Sequence, residues 1–364
     1  RGFFVASVLS LIVGAMISIV GSLAIRDFLI LMHTPGEILE QSLDYIKVIL
    51  LGFVITVLNN LFMSVLQSLG DSSTPFWALL VSSVTNIGLD CVFVLTLKWG
   101  VQGAAAATVL SQVFSFAICA AGLKRLKFVS ILDGSKSKNA RLTVRMLKTG
   151  LPVGIMSMVT AVGGMILQFF VNDLGASAVA AYAASTKIRS VIGEFSNALG
   201  MTFMTFVGQN YGAQKYDRIK AGVRMGVLLS ILIHIPLSAV EIFGGKRIAS
   251  LMVTDPPVLE LCRQYLLIVG IFVFFLGFLM VFRNCIQGMG NTWIPMLSGG
   301  LEVFSRLIFG YWLGRHSFMG IAAAEASAWI SVSIMLGSSF FILFRKVLRT
   351  QTPVSYTHLR AHET

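Results

Sequence analysis

The decapeptide Gln67 to Phe76 (QSLGDSSTPF) returns 220 residues later as Gln287 to Met296 (QGMGNTWIPM), so that Gly70 falls on Gly290 and Pro75 on Pro295. The register reaches further. At the same offset Leu31, Met32 and Thr34 meet Leu251, Met252 and Thr254, and Tyr45 meets Tyr265. Identities held in one register from residue 31 to residue 75 mark an internal duplication, which restricts the fold to one unit written twice.

The solvent of that unit follows from its residues. Hydrophobic types make up 56% of the chain and charged types only 12%, about half the charged share of a soluble domain. Hydrocarbon satisfies no backbone polar group, so runs of about twenty apolar residues must cross as helices. An all-α membrane protein is predicted, with ten spans: Phe3 to Ile25, Tyr45 to Leu69, Pro75 to Leu97, Gly103 to Leu123, Leu151 to Asn172, Ala178 to Val207, Ala221 to Phe243, Leu261 to Ile286, Trp293 to Leu313 and Gly320 to Phe344. The sixth and ninth are the weakest, because they carry Lys187, Arg189 and Glu194, and Glu302 and Arg306.

A net charge of +12 is gathered into short connections rather than spread over a soluble face, so no nucleic-acid partner is expected. Basic residues crowd 124–148, Lys215 to Arg224, and Arg345 to Arg349, while Glu37, Glu40, Asp44, Asp173, Asp255 and Glu260 lie in the alternate connections. Counting off the spans puts the basic groups on one side. Basic connections face the cytoplasm, and so, on this count, do both ends of the chain. Cys91, Cys119, Cys262 and Cys285 lie inside apolar segments without CxxC spacing, which gives neither a disulfide nor a metal site; they are read as buried small side chains.

The offset puts Arg1 opposite Ala221, so the two spans between Leu151 and Val207 have no counterpart at the front. A complete first copy needs about two more helices, giving a two-lobe bundle of six plus six related by a pseudo-twofold axis along the membrane normal. The boundaries predicted are 1–123 for an N-terminal lobe, 124–149 for a basic cytoplasmic linker, 150–346 for a C-terminal lobe and 347–364 for a tail. The stretch 353–364 (PVSYTHLRAHET) matches neither repeat and is read as a vector or assembly scar.

No HExxH, GxSxG or paired-aspartate magnesium motif occurs, so neither an enzyme nor a resident cofactor is expected. A membrane-embedded enzyme would need clustered acids or histidines, and His234 stands alone in its span. The informative residue is Asp90. Ser82, Asn86 and Asp90 recur every four residues and form one polar stripe on one helix face. A stripe of that kind cannot face lipid, and a carboxylate inside a membrane costs several kcal/mol. Asp90 is therefore either an ion handle or the partner in a structural hydrogen bond. Thr108 lies on the next helix beyond the small-residue run Gly103 to Ala107, which permits close helix packing. In the second copy Glu302, Arg306 and Gly310 replace Ser82, Asn86 and Asp90, and Glu325 replaces Thr108 after a three-residue deletion. Glu302 and Arg306, one turn apart, are expected to pair, making a structural or gating cluster with Glu325. Met165, Gln168 and Asn172 are candidates for a substrate cavity, with ordinary helix packing as the competing account.

On QSLGDSSTP (Gln67 to Pro75), NIGLD (Asn86 to Asp90), GAAAATVLSQ (Gly103 to Gln112), FVGQNYGAQKYDR (Phe206 to Arg218) and QGMGNTWIP (Gln287 to Pro295), the chain resembles the multidrug and toxic compound extrusion (MATE) transporters over nearly its whole length to residue 346. The resemblance starts at what would be the third helix of twelve. It implies a monomeric secondary transporter in a bacterial inner membrane that exports amphipathic or cationic small molecules against an inward flow of Na+ or H+. It further implies that Asn86, Asp90 and Thr108 help form the cation or proton site, together with an acid on a helix this chain lacks. Other members use acids on the seventh and tenth helices, where this chain has Gln168, and Arg283 with Asn284. The alternative within the superfamily is a lipid-linked oligosaccharide flippase.

Overall fold

A computed structural model describes residues 2–31, 36–125 and 136–349. Met32 and Thr34 of the repeat, and the segment 353–364, lie outside the described residues. Every described element is helical: α1 Gly2–Leu31, α2 Gly36–Ser68, α3 Ser73–Asp90, α4 Gly100–Arg125, α5 Lys136–Asp173, α6 Ala176–Gly212, α7 Tyr216–Ala239, α8 Gly245–Ala249, α9 Pro256–Gly288, α10 Trp293–Phe309 and α11 Phe318–Arg349. Three π-helical turns continue α3 through Cys91–Thr96, join α7 to α8 through Val240–Gly244, and extend α10 through Gly310–Gly314. With α7, its π turn and α8 taken as one rod, each predicted span has its helix.

Eight of these helices are long and apolar enough to cross a membrane. The rods that fall short are α6 and α10, the two whose charges made them weakest in the sequence. Helix ends overrun the predicted spans most in α5, which starts at Lys136 rather than Leu151. Residues 136–149 of the expected linker are therefore helix, while 126–135 lie outside the described residues.

The chain divides into two compact units, residues 1–147 and 148–364. In the first, α4 packs against α2 and α3 through a stripe of small buried residues, Gly103, Ala107, Ser111, Ser115 and Cys119, one per turn. Asn59 of α2 closes this seam: its amide donates to Gln112 Oε1 at 2.8 Å, and its Oδ1 accepts from Ser115 Oγ at 3.0 Å. In the second, α9 is the central helix, with Tyr265, Leu266, Val269 and Val273 inaccessible among α6, α7 and α11. Cys119, Cys262 and Cys285 are buried as expected, but Cys91, on the π turn after α3, is exposed.

The two units share a set of internal contacts at matching positions. Gly70 (φ 91) and Gly290 (φ 84) end α2 and α9 in the left-handed region, where a side chain would be strained. Asp71 then caps α3 by accepting the Thr74 N–H at 3.0 Å, as Asn291 caps α10 by accepting the Ile294 N–H at 3.2 Å. Pro75 and Pro295 fall in the first turn, where a missing N–H costs nothing. Farther along, Ser18 Oγ donates to the Leu50 carbonyl at 2.6 Å, and at the same offset Ser238 Oγ donates to the Gly270 carbonyl at 2.7 Å.

One turn from those twin bonds the side chains trade places. In the first unit Gly21 faces Leu50, and a Cβ on Gly21 would come within 2.9 Å of the leucine. In the second unit the glycine is on the other helix: Glu241 faces Gly270, whose added Cβ would lie 3.0 Å from the Glu241 Cβ. Each crossing thus tolerates one side chain and not two. Gly270→Leu is expected to lower stability by about 1–3 kcal/mol through overpacking, and Glu241→Gly added to it recovers part of the loss, Ile242 Cγ1, 2.9 Å from the added Cβ, remaining in contact. Thermal unfolding of the detergent-solubilised protein tests the pair; a double variant no better than Gly270→Leu would refute the exchange.

Asp71 lies between spans, and the Thr74 hydroxyl, at 2.6 Å, followed by the Thr74 N–H, holds its carboxyl below the usual carboxylate range. A native carboxyl that titrates lower than the unfolded one stabilises fully at neutral pH and loses that contribution as pH falls through its native value. Asp71→Ala is expected to cost about 1 kcal/mol at neutral pH. Asp71→Asn, matching Asn291, should keep the cap and remove its acid sensitivity. Unfolding midpoints at neutral and acid pH check both.

Candidate functional site

Asp90 is the last residue of α3, where the backbone passes from α to π geometry, and the π turn is closed by the Leu97 N–H donating to the Val92 carbonyl at 2.9 Å. Single π turns inside helices recur at functional sites because they re-aim neighbouring side chains. Of the predicted stripe, Ser82 is buried and donates to the Ser111 carbonyl of α4 at 2.9 Å, which makes it a helix–helix tie. Asn86 and Asp90 are half-buried, and here the accounting fails to close: Asn86 Nδ2 and Asp90 Oδ1 are buried atoms without a hydrogen-bond partner.

Thr108 spends its hydroxyl proton on the Ala104 carbonyl of its own helix at 3.0 Å. No hydrogen bond joins it to Asn86 or Asp90 among the described residues, so what Thr108 retains is lone pairs. The structure therefore leaves an unmet carboxylate oxygen, an unmet amide and a spare hydroxyl oxygen on the two packed helices α3 and α4. Unmet groups of this kind are rare in buried sites, and a group so left can accept an ion from solution.

The corresponding region of the second unit is closed. Arg306 Nη2 pairs with Glu302 Oε1 at 2.9 Å, the pair expected from their spacing. Arg283 Nη2 meets the other oxygen, Glu302 Oε2, at 3.1 Å. Glu325, 1% exposed, is held by Arg189 Nη2 at 3.2 Å and Arg306 Nη2 at 3.8 Å, and accepts from the Tyr265 hydroxyl. Arg189 is also placed over the Trp329 ring, 5.9 Å from its centroid. Of the charges that weakened the sixth span, Arg189 is the one turned inward, whereas Lys187 and Glu194 are exposed. Asp90's counterpart, Gly310, has no room for a side chain, since a Cβ there would come within 2.7 Å of Phe170.

Sequence reasoning missed Glu241. Both its carboxyl oxygens are buried without a hydrogen-bond partner, and the charged groups within its electrostatic reach are Arg189 and Glu325. The signal was available in the repeat: at the 220 offset a glycine becomes a glutamate while the facing leucine becomes a glycine. His234, two turns before it, is satisfied: its Nδ1–H donates to the Ser230 carbonyl at 2.7 Å, which leaves Nε2 to accept from Ser196 Oγ at 2.8 Å.

The predicted substrate residues divide. Gln168 is half-buried and donates to the exposed Asn172 Oδ1 at 2.8 Å, and Met165 is 69% exposed on the same helix.

Removing one member of a buried ion network strands the others, which costs about 3–5 kcal/mol. Glu302→Gln, which leaves Arg283 and Arg306 without their shared carboxylate, should lose stability in that range. Asp90→Asn, which breaks no bond, should change it by less than about 1 kcal/mol. Equal losses in thermal unfolding would abolish the distinction between a locked and an open cluster.

The MatE family model matches residues 2–92 and 152–312 of the chain. The "Probable multidrug resistance protein YoeA" of Bacillus subtilis (strain 168) is 27% identical over 333 residues, which cover 85% of this chain and 72% of that one. The "Probable multidrug resistance protein NorM" of Thermotoga maritima is 24% identical over 321 residues, 86% of this chain and 68% of its own. A solved structure described as the "Outward-facing conformation of a multidrug resistance MATE family transporter of the MOP superfamily" shares the fold with a TM-score of 0.87 at 21% identity, over 96% of this chain and 79% of that one. A family model matched across most of the spans, on a chain whose apolar helices repeat in tandem, assigns this multi-pass membrane protein to the MatE family of multidrug and toxic compound extrusion transporters, which are not enzymes.

Proposed function

We propose that this chain belongs to a secondary active transporter that exports amphipathic or cationic small molecules, driven by Na+ or H+ moving inward, with Asp90 as the coupling acid. The observation that carries the proposal is the contrast between matching clusters of the repeat: Asp90 keeps a buried oxygen without a partner, whereas Glu302 and Glu325, at the positions of Ser82 and Thr108, are each tied to arginines. Only a free carboxylate changes its charge cheaply when an ion arrives. The relatives' names, which speak of multidrug resistance, support the substrate class.

In this mechanism, a proton or cation reaching Asp90 cancels the charge that opposes closure of the helices around it. Closure is then tied to ion occupancy, because a ligand shifts a conformational equilibrium only by its difference in affinity for the two states. Asn86 and Thr108 are the further polar groups assigned to the ion: the amide carbonyl and the hydroxyl lone pairs are oxygen donors of the kind a Na+ ion takes. One charge crossing 100 mV contributes about 2.3 kcal/mol, which supports roughly a fiftyfold gradient of exported molecule. The basic connections favour an orientation with both described ends of the chain in the cytoplasm.

Drug efflux from cells or proteoliposomes carrying the full-length protein tests the role. Asp90→Asn is expected to abolish efflux driven by an imposed ion gradient while leaving drug binding within about threefold, a shift of under 1 kcal/mol. Coupled efflux at the wild-type rate would reject Asp90.

A further inference from the structure

The second unit holds a cavity of about 700 Å3 where three spans end together: the first turns of α7, and the last turns of α9 and α11. Its wall is aromatic. Phe340 stacks on Phe344 with centroids 5.6 Å apart and planes 11° from parallel, and Phe282 closes on Phe340 and Phe341 at 5.9 and 6.2 Å. Phe341 is 58% exposed. The rim is cationic: Lys220 and Arg224 from α7 and Arg345 from α11 line the cavity, and no acid does.

All three cations are exposed, and none of them forms an ion pair among the described residues. At the other end of α9 the surface charges are neutralised, Glu260 taking Arg263 at 2.6 Å and Lys246 at 3.7 Å. At the aromatic end the three cations lining the cavity have no acid among the residues beside them.

We propose that this cavity binds one anionic phospholipid, with its phosphate among Lys220, Arg224 and Arg345 and an acyl chain along the phenylalanine wall. The geometry matches the depth profile of a lipid. Phe282 lies within the hydrocarbon-length span Pro256–Gly288, whereas Lys220 and Arg345 stand near the ends of Tyr216–Ala249 and Phe318–Leu348, and Arg224, one turn deeper than Lys220, has a side chain long enough to reach back toward them. Phosphate at headgroup level and methylene groups beneath it meet cations and rings in that order. The same three charges repel a cationic drug, which separates this cavity from any route such a drug would take. The inference rests on the membrane-spanning fold and not on ion coupling, so it stands or falls independently of Asp90.

Native mass spectrometry of the full chain, equilibrated with equal amounts of phosphatidylglycerol and phosphatidylethanolamine, reads the site directly. The wild type is expected to retain phosphatidylglycerol preferentially, and Lys220→Gln/Arg224→Gln/Arg345→Gln to lose roughly a hundredfold of that preference, about tenfold or less per cation. These side chains are exposed, so an unchanged unfolding midpoint without lipid certifies the variant. Phe341→Ser should weaken retention of both lipids and leave the preference intact. Equal retention of the two lipids by the wild type, or a preference that survives loss of the three cations, overturns the proposal.

Discussion

A carboxylate drawn into the interior of a membrane bundle has to be met by a cation, by donors or by an ion taken from solution, because hydrocarbon offers it nothing. The chain meets this demand in different ways. Glu302 lies between two arginines and Glu325 between two arginines and a tyrosine hydroxyl. Asp90 and Glu241 are left with buried oxygens that no group among the described residues meets. A network of the first kind gains little over an apolar core but resists the loss of any member, which makes it a device for holding helices in one arrangement. Carboxyls of the second kind hold no helix to its neighbour.

Duplication explains how both kinds arise from one plan. The turn glycines, the caps after them and the serine-to-carbonyl bonds of α1 to α2 and α7 to α9 are the same in both units. These contacts involve backbone or short side chains, and they fix where helices cross. What differs is the longer side chains hung on that frame: Ser82 to Glu302, Asn86 to Arg306, Asp90 to Gly310, Gly21 to Glu241. Divergence was tolerated where the facing residue changed with it, as Leu50 against Gly270 shows.

The same division explains what was legible in the sequence. Spans were readable because hydrocarbon imposes a length and a composition, and the repeat was readable because the turn chemistry is strict. The Glu302–Arg306 pair followed from helical spacing alone. The partners Arg283, Arg189 and Tyr265 did not, since they come from other helices and no period in the chain links them. The start of α5 was missed because residues 136–150 continue the helix without the apolar run that betrays a span. Ser82, grouped with Asn86 and Asp90 by periodicity, proves to be a tie to α4; its spacing says which face it shares but not what stands opposite.

The unequal distribution of charge has a consequence for motion. Opening the helices of the second unit would separate three ion pairs that join different helices, with atoms between 3.1 and 3.8 Å apart, whereas among the described residues α3 and α4 are tied by one side-chain bond, from Ser82 to the Ser111 carbonyl. Interfaces with few directional contacts have lower local stability and are where conformational change concentrates. This helix pair also carries the unmet carboxylate and a π turn at its junction. If Asp90 is the coupling acid proposed above, an ion bound there acts on a helix pair held together by few directional contacts.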